Sequence, residues 1–90
     1  MYQGWKNEQT WCVALTFDNE KITQDRALSI VRDNQEYPHA TDALLRDFAG
    51  SIPGKVYDMA PWAWEGDKDL SFVSWTEIRE HYERKIKEGA

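Results

Sequence analysis

The sequence predicts an all-α domain of three to four helices with a tryptophan-rich loop. Three observations carry that reading. Apolar residues recur at helical spacing in two segments, Leu44, Leu45, Phe48 and Ile52 in one and Trp75, Ile78, Tyr82 and Ile86 in the other. Side chains that can accept from orphan backbone N–H groups precede both stripes, Thr41 before the first and Ser74 before the second. Ninety residues make one domain, spanning 1–90.

The elements follow in order. Met1 to Lys6 reads as an extended lead-in, with Trp5 free to fold back on the core. Asn7 or Thr10 can cap the next segment, and Glu8 suits the positive end of a helix dipole. From there the pattern supports two readings. Trp11, Val13, Leu15 and Phe17 alternate as in a strand, yet Trp11–Leu15 and Val13–Phe17 are also i,i+4 pairs with Cys12 and Ala14 between them. The capping residues favour helix; the alternative is an α+β fold with residues 10–17 as a strand. Asp18 to Lys21 is a polar break, after which Thr23 is placed to cap a second helix with Ala27, Leu28 and Val31 inward. Asn34 to Pro38 reads as a loop, because proline disfavours helical geometry at Tyr37. Thr41 opens the third helix, and Gly50 with Pro53-Gly54 stops it. Residues 55–72 are irregular, with Val56-Tyr57 as a short extended piece. Ser74-Trp75-Thr76-Glu77 is a capping box for the last helix, and Val73 can staple to Ile78. The opening run and this last helix are expected to form the two halves of the core.

Composition narrows the functional classes. Twelve aromatic residues, five of them tryptophan, supply buried area that a chain of this size otherwise lacks. The net charge is −5, with four bases and six acids in residues 1–40 and seven and ten in residues 41–90. A negative field repels phosphates and anionic lipid, so direct nucleic-acid or membrane binding is disfavoured and a basic protein surface is suited. A single cysteine cannot close an internal disulfide, no segment reads as a signal peptide, and no run nears the ~18 apolar residues of a membrane span. These features predict a complete small protein of the cytoplasm.

Few residues suggest chemistry. Cys12, His39 and His81 share no metal-ligand spacing, so no metal is expected. Cys12 sits in an apolar run, where a thiol behaves as a small hydrophobe, and the five glycines form no phosphate loop. Neither catalytic residues nor a cofactor are assigned, and the chain is not expected to be an enzyme. The candidate partner-binding residues are Trp62, Trp64, Glu65, Asp67 and Asp69: two indoles as anchors beside acids that would meet a basic rim. Such rings also close small cores from loops, and one ring in with one ring partly out is expected.

Gly4-Trp5, Asn7, Thr10-Trp11, Val13, Leu15 and Asn19-Glu20, together with Val73 to Ile78 and His81, resemble a small uncharacterised domain family of phages, plasmids and prokaryotic mobile elements. That family opens N-x-x-T-W-x-V-x-L and closes on a V-[DS]-W-x-E-I-x-x-H helix. The likeness covers both ends of the chain; Cys12 and Thr16 depart from it, and the middle is shorter. It implies no activity or catalytic residues, only a mobile-element setting. The expected function is therefore an accessory protein that binds and inhibits a host defence complex, of anti-CRISPR or anti-restriction type. Its expected partner is a basic, nucleic-acid-binding surface of that complex. The alternative is a non-catalytic structural or assembly module acting as a homo-oligomer, for instance a homodimer.

Overall fold

The computed structural model describes residues 2–52, 55–59, 64 and 70–89. The fold is all-α: α1 spans Glu8–Asn19, α2 Lys21–Asp33, α3 Pro38–Gly50, α4 Lys55–Met59 and α5 Trp75–Lys87, with a short 3-10 turn at Leu70–Phe72 before α5. None of these helices is long and apolar enough to cross a membrane.

Residues 10–17 are helical, which removes the strand alternative. Asn7 caps α1 by accepting from the Thr10 backbone N–H at 2.9 Å. Helix geometry then redistributes the apolar run. Thr10, Cys12, Val13, Ala14, Thr16 and Phe17 are buried, whereas Leu15 points outward and is 38% exposed. A helix that presents two small residues and two threonines to the core lets neighbouring backbones come close.

Helices α2 and α3 both begin earlier than the threonines suggest. The residue capping α2 is Glu20, and the one capping α3 is Tyr37, with Pro38 in the first helical position, where its missing N–H costs nothing. Thr23 and Thr41 are donors rather than caps. The Thr23 hydroxyl lies 2.8 Å from the Phe17 carbonyl oxygen and 3.0 Å from that of Glu20. The Thr41 hydroxyl lies 2.8 Å from the carbonyl oxygen of Asn34 and 3.0 Å from that of Tyr37. Each buried hydroxyl thus finds its acceptors where one helix hands over to the next; the carbonyls of Glu20, Asn34 and Tyr37 also accept a backbone N–H, so the threonine adds a second donor there. The predicted extended piece at Val56-Tyr57 is instead α4, whose Val56 is buried beside α1 and whose carbonyl accepts from the Cys12 thiol at 2.9 Å.

Ser74 caps α5 as its sequence implies, but the capping box does not close on itself. Glu77 Oε1 accepts instead from the Lys6 backbone N–H at 2.9 Å, and the Ser74 N–H donates to Thr10 Oγ1, also at 2.9 Å. The first turns of α1 and α5 are therefore stitched side by side. Asn7 adds a third stitch through its amide, which donates to the Phe72 carbonyl at 2.8 Å.

The lead-in is a tight hook, not an extended arm. Tyr2 and Trp5 exchange backbone hydrogen bonds of 2.7 and 2.8 Å across Gln3 and Gly4, at φ 51° and 87°. Two successive left-handed residues make this a primed turn, and the second is the glycine that tolerates it best. The hook then lays Tyr2 edge-on against Trp11 and Trp5 edge-on against His81.

The core joins Val13 and Phe17 of α1, Ala27, Ile30 and Val31 of α2, Leu45 and Ala49 of α3, Val56 of α4, and Ile78 and Tyr82 of α5. Phe17 stacks on Phe48 with ring centroids 5.2 Å apart. The last helix is the other half of the core, as its stripe predicts, but it lies more extensively against α2 and α3 than against α1. Arg79 ties it to α3 by pairing with Asp42 at 2.8 Å, while Glu83 holds the guanidinium from one turn further along.

Thr10 is fully buried, donates to Asn7 Oδ1 at 2.6 Å and accepts from Ser74. Thr10→Val keeps its shape and leaves the Ser74 N–H unpaired, so it should lower the unfolding free energy by about 1–3 kcal/mol. Urea denaturation checks this, with Thr10→Ser expected to retain most of the stability.

Candidate interaction surface

Of the five partner-binding residues expected from the sequence, Trp62, Glu65, Asp67 and Asp69 lie outside the described residues. Trp64 is turned into the core, which fits the expectation of one ring in. It is 3% exposed and meets Tyr57 of α4 edge-on, with ring centroids 5.0 Å apart. An indole is the largest apolar surface a short connecting segment can bring, and here it covers the flank of the core beside α4. Trp64→Ala should accordingly cost about 3–5 kcal/mol of stability, a large part of what a domain this size possesses. Thermal unfolding would register the loss; a Trp64→Ala protein of unchanged stability would return the ring to the surface.

A cluster of four titratable groups lies between α1 and α5. Asp18 Oδ1 accepts from the Tyr82 hydroxyl at 2.7 Å, and its Oδ2 lies 3.1 Å from His81 Nε2 and 3.8 Å from Lys85 Nζ. The His81 ring is wedged between Trp5 and Tyr82, both edge-on. Partial burial works to raise the Asp18 pKa. Hydrogen bonds from His81 and Tyr82, and the charges of His81 and Lys85, more than offset it and leave the carboxyl below its ordinary value. Burial, and then the Asp18 carboxylate, push the Tyr82 hydroxyl well above its own. These groups consume one another's hydrogen-bonding capacity: the cluster is a clamp that fixes α5 and the N-terminal hook on the end of α1.

A depressed carboxyl pKa contributes stability above its unfolded value of about 3.9 and loses it as pH falls through the folded one. The unfolding free energy should therefore decline as pH drops below about 4. Asp18→Asn should flatten that decline, as urea titrations across acid pH would show; an unchanged slope would assign it to other carboxylates.

A concavity of about 620 Å³ lies elsewhere, in the groove between α2 and α3. Ile30 and Phe48 line it from the core side, and Ile22 and Leu44 line it nearer solvent. Ile22 is 80% exposed and Leu44 41%, so large apolar side chains stand in water beside an open groove. Arg26 and Asp33 of α2 and Asp47 of α3 supply its charges.

The sequence carries a signal for this surface in the angular spread of its apolar residues. Taking 100° per residue, Ala27, Ile30 and Val31 fill one side of α2, and Ile22 stands roughly 80° or more away from all three. A lone isoleucine on a polar face is not part of the core the helix packs into. Leu44, read as part of the α3 stripe, is likewise displaced from it, because Leu45 one residue on takes the fully buried position.

Among the described residues, no group of three or more His, Cys, Asp or Glu side chains is arranged to hold a metal ion. No protein-family model, curated protein or solved structure matches this chain.

Proposed function

We propose that this chain is a non-catalytic protein-binding module that docks its target at the α2–α3 groove. The observation that carries the reading is Ile22, 80% exposed at the lip of an open apolar groove. Burying such a side chain against a partner is worth about 1.5–3 kcal/mol, enough to make it a leading contact of an interface. A three-turn groove of this kind suits an amphipathic helix from the partner.

The resemblance at the two ends of the chain supplies the setting. In that setting the module is an accessory protein of a phage or mobile element, working in the host cytoplasm. It inhibits a defence complex, of anti-CRISPR or anti-restriction type, by occupying a protein surface that otherwise serves nucleic acid. The net charge of −5 supports a basic partner, since it speeds encounter with such a surface and discourages competition from nucleic acid.

Co-elution with purified defence complexes tests the reading. Ile22→Asp, at an exposed position, should leave thermal stability within about 0.5 kcal/mol of the parent. It should weaken target binding at least tenfold, as expected for an anchor residue. A target bound equally well by Ile22→Asp would overturn the groove as the docking face.

A further inference from the structure

The outward stripe of α2 carries a charge order that specifies its occupant. Ile22, Arg26, Ser29 and Asp33 are spaced by four, three and four residues, so they fall within about 60° of one line along the helix. Along that line a base and an acid stand at equal distances either side of a midpoint between Ser29 and Ile30. The Ser29 hydroxyl donates to Asp33 Oδ2 at 3.3 Å and so keeps the carboxylate on the stripe. No acid lies within ion-pairing distance of Arg26 among the described residues.

We propose that the α2–α3 face takes a second copy of this chain, in a two-fold dimer with the two α2 helices antiparallel and crossing at Ser29. This rests on the reading of that face as a docking surface and names its occupant. The register follows from the sequence. Turning α2 end for end about the Ser29–Ile30 midpoint places Arg26 opposite the second copy's Asp33, and Asp33 opposite its Arg26. One contact of the stripe is thereby made twice, the mark of an isologous interface. Ser29 at the crossing is small enough for the helices to approach to about 8 Å. The same register carries Ile22 towards the end of the second copy's α2, where Tyr37 stands 64% exposed. Both large apolar side chains then leave water together. An unrelated helix would have to supply an acid, a small residue and a base at these intervals; a second copy does so by symmetry.

The dimer also gives the exposed face a state at rest. A target and a second copy compete for the same groove, so self-association covers Ile22 until a target displaces it.

Charge exchange tests the register without any target present. Light scattering across a concentration series should find the wild-type chain passing from monomer to dimer. Arg26→Asp alone sets carboxylate against carboxylate at both pairings, and Asp33→Arg alone sets guanidinium against guanidinium. Each variant should therefore dimerise at least tenfold more weakly. Mixing the two variants in equal amounts restores both opposite-charge pairs and should restore a dimer of mixed composition. Both positions are exposed, and circular dichroism should show both variants as helical as the parent. A wild-type chain that stays monomeric overturns the dimer without touching the docking reading, which target co-elution of Ile22→Asp decides separately. A wild-type dimer whose variants fail to recombine overturns the antiparallel register.

Discussion

The fold depends on two helix N-termini being held side by side. Each brings backbone N–H groups that its own helix cannot satisfy, and gathering two such ends in one place would ordinarily be costly. Thr10 resolves this with one hydroxyl, donating to the cap of α1 and accepting from the backbone N–H of Ser74, which caps α5. Glu77 then accepts from the chain entering α1, and Asn7 donates to the chain entering α5. These bonds join residues 64 to 71 positions apart, so they close the domain from its two ends. The angle at which α5 crosses α2 and α3 follows from that seam, as does the placement of Tyr82 against Phe17.

The clamp at the far end of α1 complements the seam. Asp18, near the last turn of α1, would add unfavourable negative charge to a helix C-terminus. Its hydrogen bonds to Tyr82 and His81 and the nearby Lys85 reverse that penalty and bring α5 down on the same end. Tyr82 can therefore be completely buried without wasting its hydroxyl. α1 is thus bonded to α5 or its approach at both ends, and α2 and α3 pack against that pair.

Much of this was legible in the sequence, and the failures are instructive. Asn7, Ser74, Pro38 and the α5 stripe act as their local chemistry dictates, because capping and periodicity depend on nearest neighbours. Thr23 and Thr41 have the right residue type for caps, but a threonine hydroxyl can donate backward as readily as it can accept forward. Which it does depends on carbonyls in the preceding helix. Glu77 fits a capping box until Lys6, 71 residues away, offers a competing donor. Trp64 looked like an anchor because its flanking acids and glycine suggest a surface loop, yet packing against Tyr57 is decided by the chain's path in space. Large rings beside acids are the stronger sequence signal for a binding surface, whereas the most exposed large apolar residue among those described is an isoleucine amid charges.

That contrast bears on how a chain this small can leave large aliphatic side chains such as Ile22 in water. Its core is closed by aromatic rings and by threonines and a thiol that hydrogen-bond to backbone within the packed layer. These contacts are directional, so they fix the helices without drawing on every aliphatic side chain. Ile22 and Leu44 are left over from that economy. An exposed isoleucine gains nothing for the monomer and exposes apolar area to unwanted association. The charges beside it, Arg26 and Asp33 on its own stripe, discriminate among the surfaces that would otherwise cover it, since a wrong partner leaves one of them unpaired. On the proposed reading, affinity resides in the aliphatic lip and selectivity in the spacing of two opposite charges, both displayed by a helix whose inner face packs in the core.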